Sequence, residues 1–341
     1  MKKHNYAIDL FRFLAALMVV LFHLNQAIEP ANNWYRNTVK YGWLGVPVFF
    51  VISGYCIMLS AFQAANSMDF LSRRFFRIYP PYWASLLVVL LAACVQKLYL
   101  GANAVHNLPR NAAAILANMT LATAPLTAVE TSNWVYWSLT CELLFYVTVA
   151  LALLAGKDKV IYSLTGTSLL AAFLPVQHEG LLFFLDQWPA LGLGLSVFYF
   201  FRITDRISGF GFASLLLINL YGLLNSSVYQ NDYKLVTIAA TGLVLGSNYI
   251  KIPRNICSAL GLYSYSVYLI HVPIGVFVLG LTESEAVKRQ PVWNLIYDLS
   301  VYLVVSIIAR QMYRRIEQPA IHYGRKFSQQ YFRGHKGKTA I

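Results

Sequence analysis

About ten apolar runs, each of roughly 17 to 25 residues and centred near residues 17, 53, 91, 145, 168, 192, 218, 242, 271 and 303, restrict what this chain can fold into more than any single motif does. Runs of that length match the hydrocarbon thickness of a bilayer, where backbone polar groups must be bonded internally, and a helix does this within one segment. Composition agrees, since 58% of residues are hydrophobic and 12% charged, against about 25% charged in soluble domains. The expected fold is all-α, a polytopic integral membrane protein of about ten transmembrane helices. A net charge of +13 would suit a nucleic-acid partner, but the placement of the basic residues argues otherwise. With the amino terminus inside and the spans alternating, eighteen of the 27 lysines and arginines fall on the cytoplasmic side and seven on the other, with Arg12 and Arg310 inside the runs. This is the positive-inside bias. It puts both termini in the cytoplasm and the chain in the cytoplasmic (inner) membrane, with the bilayer rather than nucleic acid as partner. The first run exceeds the 7 to 15 apolar residues of a signal peptide and contains charge, so it reads as a retained helix. The expected organisation is one membrane domain, residues 1–320, and a basic cytoplasmic tail, 321–341, with no appended soluble domain and no internal repeat. Cys56, Cys94, Cys141 and Cys257 show neither a disulfide framework nor metal-ligand spacing, and no metal is expected.

Inside the first run stand Asp9, Arg12 and His23. Ionisable groups at membrane depth cost about 2.5 to 3.5 kcal/mol each even on lenient insertion scales, which makes them functional candidates. Eleven helical steps separate Arg12 from His23, so the two share a face to within roughly 20° and stand about 16 Å apart along the axis. Asp9, three residues before Arg12, can neutralise it locally. Snorkelling of Arg12 to the headgroups is the competing reading. The fourth run opens with Trp134, Tyr136, Trp137, Ser138 and Glu142. An interfacial aromatic belt explains the tryptophans and the tyrosine, but not Glu142, whose depth of about 10 Å nearly matches the roughly 8 Å of His23. Glu142 is therefore the expected partner of His23, with Ser138 four residues earlier on the same face to orient the pair.

Between the second and third runs lies Arg73-Arg74-Phe75-Phe76-Arg77-Ile78-Tyr79-Pro80-Pro81-Tyr82, which reads as a cytoplasmic loop. Its guanidinium groups suit bidentate binding of phosphates, with neighbouring aromatic rings free to stack on a base; the alternative is a topogenic basic anchor. His271 lies mid-run, three residues after Tyr268, where catalysis and bundle packing are equal readings. Phe49 to Tyr55 reads as close helix packing through small residues. Asp186, Arg310 and Glu317 fall near span ends, where solvation is the expected state.

These residues also form a pattern that resembles the membrane-integral acyltransferase family 3, whose members acylate sugars and other envelope molecules. The resemblance covers nearly the whole chain. It rests on Asp9-x-x-Arg12 followed by His23, on Gly45-Val46-Pro47-Val48-Phe49-Phe50-Val51-Ile52-Ser53-Gly54-Tyr55, and on Arg73-Arg74-x-x-Arg77-Ile78-x-Pro80. It continues through Trp137-Ser138-Leu139-x-x-Glu142-x-x-Phe145-Tyr146, Ser264-Tyr265-x-x-Tyr268-Leu269-x-His271 and Glu317-x-Pro319. What it implies is that Arg12, His23, Arg74 and Arg77 are essential. It further implies an acyl-coenzyme A donor, in the first place acetyl-coenzyme A, and a hydroxyl of an extracytoplasmic envelope saccharide or lipid-linked saccharide as acceptor.

On that basis the expected catalytic residues are His23, Glu142 and Arg12, the expected donor-binding residues Arg73, Arg74 and Arg77, and the expected supporting residues Asp9, Ser138, Trp137, Tyr268 and His271. His23 would act either as general base or as a transient acyl carrier. Two rival classes remain at this level: a transporter or flippase for a lipid-linked saccharide, with Arg12, His23 and Glu142 as a proton relay, and a membrane-embedded interaction protein that docks through its basic tail.

Overall fold

Eight helix starts among the described residues coincide with short polar side chains that accept hydrogen bonds from the first exposed backbone N–H groups. Asn5, Asn33, Asn66, Asn111, Asn133, Asp205, Asn255 and Ser284 all do so, which relieves the orphan donors of each first turn. At Asp205 the backbone N–H and then the hydroxyl of Ser208 hold the carboxyl below its usual range. The computed structural model describes residues 4–26, 33–101, 108–175, 178–250 and 252–332. Lys2, Lys3 and Lys251, and Arg333, Lys336 and Lys338 of the expected tail, lie outside the described residues.

The described residues contain no strand. The principal helices are α1 (Tyr6–Asn25), α2 (Gly45–Gln63), α3 (Ser67–Leu100), α4 (Trp137–Leu154), α5 (Val160–Phe173), α6 (Trp188–Phe200), α7 (Arg206–Asn225), α8 (Asn231–Gly246), α9 (Ser264–Ile270), α10 (Pro291–Met312) and α11 (Gln318–Phe332). Nine of the first ten contain the centre of an apolar run, and the run near 271 is divided between α9 and the π-helical stretch His271–Val276. Among the described residues, 7 helical stretches are long and apolar enough to cross a membrane: Tyr6–Asn25, Trp34–Gln63, Ser67–Leu100, Trp134–Leu154, Arg206–Asn225, Ser264–Thr282 and Pro291–Phe332. The runs near 168, 192 and 242 form α5, α6 and α8, with 14, 13 and 16 residues, or only about 20 to 24 Å at 1.5 Å per residue.

α6 is buried on every side, from Trp188 through Tyr199, as expected for a helix apolar all round. It crosses α2 with backbones in contact. A Cβ added to Gly54 would lie 2.1 Å from the Leu191 carbonyl oxygen, and one added to Gly194 would lie 2.1 Å from that of Val51. The small-residue reading of the second run therefore holds at Gly54. Gly54→Ala would drive the helices apart, a class of overpacking that costs about 1–3 kcal/mol or more. Its thermal midpoint in detergent should fall by several degrees. Gly242→Ala, where a Cβ meets nothing within 4 Å, should leave the midpoint level or slightly raised. Equal midpoints for the two variants would refute the contact.

α3 corrects one expectation. Residues 73–82 are not a loop but part of a 34-residue helix that carries Pro80 and Pro81 within it. At about 51 Å it exceeds a hydrocarbon core of about 30 Å, so one end can project beyond the apolar layer with its arginines. The paired prolines remove the N–H groups that would bond the carbonyls of Phe76 and Arg77. Past α10 the chain continues through a π-helical turn, Tyr313–Glu317, into α11. α11 packs along α3: Gly324 sits under the Phe76 side chain, and Ser328 donates to Asp69. The first residues of the expected tail are thus a docked helix.

Candidate active site

A cavity of about 230 Å³ opens between α1, α2, α3, α4 and α9. That is below the roughly 300–1,000 Å³ of pockets for drug-sized ligands, and suits an acyl thioester arm rather than a whole coenzyme. Its polar lining comprises Arg12, Ser53, Arg74, Arg77, Ser138, Glu142, Tyr146, Ser264, Tyr265 and Tyr268, and its apolar wall includes Val46, Phe49, Phe50, Ile57 and Leu139.

Glu142 accepts hydrogen bonds from Ser53 Oγ (3.1 Å) and Tyr146 OH (2.7 Å). Arg74 lies over the rings of Phe70 and Tyr146, 5.5 and 5.4 Å from their centroids. Its Nε is buried without a hydrogen-bond partner, an uncommon and costly state for a charged donor. Arg77 is within electrostatic reach of Glu317, Tyr146 and Glu142, and Arg12 of Glu317. Glu317 is 1% exposed and accepts from Ser266 Oγ at 2.7 Å. The solvated state expected for it from its place near a span end is therefore overturned: the π-helical turn swings the side chain inward. Asp9 pairs with Arg12 at 3.6 Å and bonds His4 as well. Three guanidinium groups thus line one cavity, and a partnerless Arg74 Nε fits an anionic ligand there.

Arg73 goes elsewhere. Its Nε and Nη2 donate to Asp69 at 2.7 and 2.9 Å, and Nε also reaches Ser328 Oγ at 2.9 Å. It ties α3 to α11 and is not among the residues lining the cavity. Ser138 shares a 2.7 Å hydrogen bond with Tyr268 OH rather than with Glu142, and Tyr268 also donates to the Val135 carbonyl. Trp137 packs edge-on against Phe50, with ring centroids 6.1 Å apart.

His23 lies near the far end of α1 and is likewise not among the cavity-lining residues. It does not sit against Glu142. Its ring neighbours are His271 (centroids 5.3 Å apart), Trp134 (6.1 Å) and Phe22 (5.1 Å), and its Nδ1 bonds Gln26 Oε1 at 3.0 Å. Tyr268 links the two regions, since it lines the cavity and its ring lies 5.6 Å from that of His271. The structure therefore joins Arg12, Arg74, Arg77, Glu142, Ser138 and Tyr268 at the cavity, and His23 with His271 beyond it. Sequence reasoning passed over Ser53, Tyr146 and Glu317 as site residues. All three stood within the quoted motifs, but nothing in spacing alone distinguishes them from packing residues.

A membrane-type helical bundle around a cavity lined by arginines, carboxylate and hydroxyls is the frame of a group-transfer enzyme. The chain belongs to the acyltransferase family described as "Acyltransferase domain" (Acyl_transf_3), which matches residues 5–310. It is similar to the "O-acetyl transferase" of Shigella phage Sf6, 26% identical over 305 residues that cover 82% of this chain and 87% of that protein. It is also similar to "O-acetyltransferase OatA" of Staphylococcus aureus (strain NCTC 8325 / PS 47), 25% identical over 372 residues and 92% of this chain. This alignment takes in 56% of the staphylococcal protein's own length. "Nodulation protein 10" of Rhizobium leguminosarum bv. viciae is 22% identical over 357 residues, 91% of this chain and 96% of that protein. No solved structure matches the chain. The protein is an O-acyltransferase.

Proposed function

We propose that the protein transfers an acyl group, in the first place acetyl, from a cytoplasmic acyl-coenzyme A to a hydroxyl of an extracytoplasmic envelope saccharide or lipid-linked saccharide. It does so as a single membrane domain of ten spans in the cytoplasmic membrane, with both termini inside. The observation that carries this reading is the cavity itself. Its lining includes Arg12, Arg74 and Arg77, and Tyr268 connects the space to His271 and His23. Guanidinium groups bind phosphate through charge-assisted, bidentate hydrogen bonds, so Arg74 and Arg77 hold the donor's phosphates. Arg12 flanks the mouth, and Arg73 fixes α3 from behind through Asp69 and Ser328. The names of the phage and staphylococcal relatives support acetyl as the group moved.

In the transfer step the acceptor hydroxyl gives its proton to the free Nε2 of His23 while its oxygen bonds the thioester carbonyl carbon. The carbon–sulfur bond breaks, and the coenzyme thiolate leaves and recovers a proton. The apolar wall of Phe49, Phe50 and Leu139 excludes water that would hydrolyse the thioester.

The test is purified protein in sealed vesicles with radiolabelled acetyl-coenzyme A outside and envelope saccharide inside. Label should appear in the enclosed saccharide only when the protein is present. Saccharide crossing the membrane without any thioester, with no label transferred, would instead establish a transporter.

A further inference from the structure

His271 is 0% exposed, yet one of its ring nitrogens has no partner. Nδ1 donates to the Tyr268 carbonyl oxygen at 2.7 Å, back onto its own helix. In the neutral ring Nδ1 then carries the proton and Nε2 a bare lone pair, directed away from that turn. A buried acceptor left unbonded is costly and calls for a donor that arrives from outside the protein. His23, the nearest imidazole, is arranged in the same sense: its Nδ1 is taken by Gln26, leaving Nε2 for a substrate. Two acceptor nitrogens on rings 5.3 Å apart cannot both take the one proton of a single hydroxyl. They can each take one from a pair of neighbouring hydroxyls. Beside them Trp134, 41% exposed, holds its ring 6.1 Å from His23 and is braced edge-on by Phe277 at 5.2 Å, a flat surface of the kind on which a sugar ring rests.

We infer that the touching rings of His23, His271 and Trp134 border the acceptor subsite, and that it selects a saccharide bearing two neighbouring free hydroxyls, one acylated through His23 and the other held by His271 Nε2. This rests on the acyl-transfer reading above and adds to it a specificity-determining residue. His271 then sets which hydroxyl is presented, because a site that hydrogen-bonds a hydroxyl discriminates strongly against an acceptor that lacks it.

The probe is the envelope saccharide of cells expressing the wild type, His271→Phe or Trp134→Ala, with acyl positions mapped by two-dimensional NMR and mass spectrometry. In the wild type the group should sit at one position, with a free hydroxyl on the adjacent carbon or the next one. His271→Phe keeps the ring and loses both nitrogens. It should lower acylation by at least about tenfold, with the remainder spread over more than one position. Trp134→Ala should lower the yield and keep the position. A wild-type product acylated where no neighbouring hydroxyl is free overturns the inference, and does so even if the histidine variant fails to fold. So does a His271→Phe product that keeps the single wild-type position. An envelope with no acyl group dependent on the protein would sink the acyl-transfer reading itself, an outcome distinct from misplaced acylation.

Discussion

His23→Ala is expected to lower acyl transfer by about 10²- to 10⁴-fold, the range that a positioned general base contributes, while the bundle still assembles. His23 is half-buried near the end of α1 and makes one side-chain hydrogen bond, to Gln26, so its loss removes little packing. The informative comparison is with Glu142→Gln. If Glu142 oriented His23, as equal depth in the sequence suggested, both variants would fail in the same step. The geometry instead has Glu142 held by Ser53 and Tyr146 among the arginines. Its loss should therefore fall on the KM for the donor, and that of His23 on kcat. Near-normal turnover in His23→Ala with saturating acetyl-coenzyme A would remove the imidazole from the mechanism.

The second large effect is expected within the cavity. Arg74→Ala and Arg77→Ala should each raise the donor KM by about 10- to 150-fold, since a hydrogen bond to a charged group contributes about 1.5–3 kcal/mol. Arg77→Lys should recover part of this and not all, because an ammonium cannot reproduce the planar fork. Arg73→Ala is the contrast. Its guanidinium is already committed to Asp69 and Ser328, so the principal change should be looser docking of α11, seen as a lower thermal midpoint and faster proteolysis after residue 312. Initial-rate kinetics in proteoliposomes would settle the ranking. An Arg73 variant that equals Arg77→Ala in donor KM, with its midpoint unmoved, contradicts the assignment.

Why Arg73 parts company with its neighbours is readable once α3 is known to be a helix. At about 100° per residue Asp69 and Arg73 lie toward one edge of a fan, and Arg77 and Arg74 toward the other. An Asp69–Arg73 pair at i,i+4 is a standard helical ion pair. Reading the segment as a loop concealed that phase, because two prolines in succession ordinarily end a helix. The His23–Glu142 pairing failed for a different reason. Depth within the membrane can be counted along one helix, but which helices are neighbours is decided by packing. α1 packs on α2, α9 and α10, whereas α4 packs on α2, α3 and α5. Glu317 escaped because solvation was inferred from its distance along the chain, and the π-helical turn that buries it has no simple signature in apolar periodicity. What patterning did carry was the placement of the apolar helices, from the length of their runs, and the choice of Arg12, Arg74, Arg77 and Glu142, which the structure brings to one cavity. The ionisable groups stood out because their residue types are expensive inside a membrane and call for a partner.

The backbone-to-backbone crossing of α2 and α6 at Gly54 and Gly194 has a mechanical consequence. With no side chain between them, the two helices have no compressible layer to take up motion and act as a keel. α2 supplies Phe49, Phe50, Ser53 and Cys56 to the cavity, so that wall stays put through a catalytic cycle. α1 is held to α2 by the same close approach, since a Cβ added to Gly45 would lie 2.5 Å from the Ala15 carbonyl oxygen, so the widening that admits a donor is expected at α3 and α9.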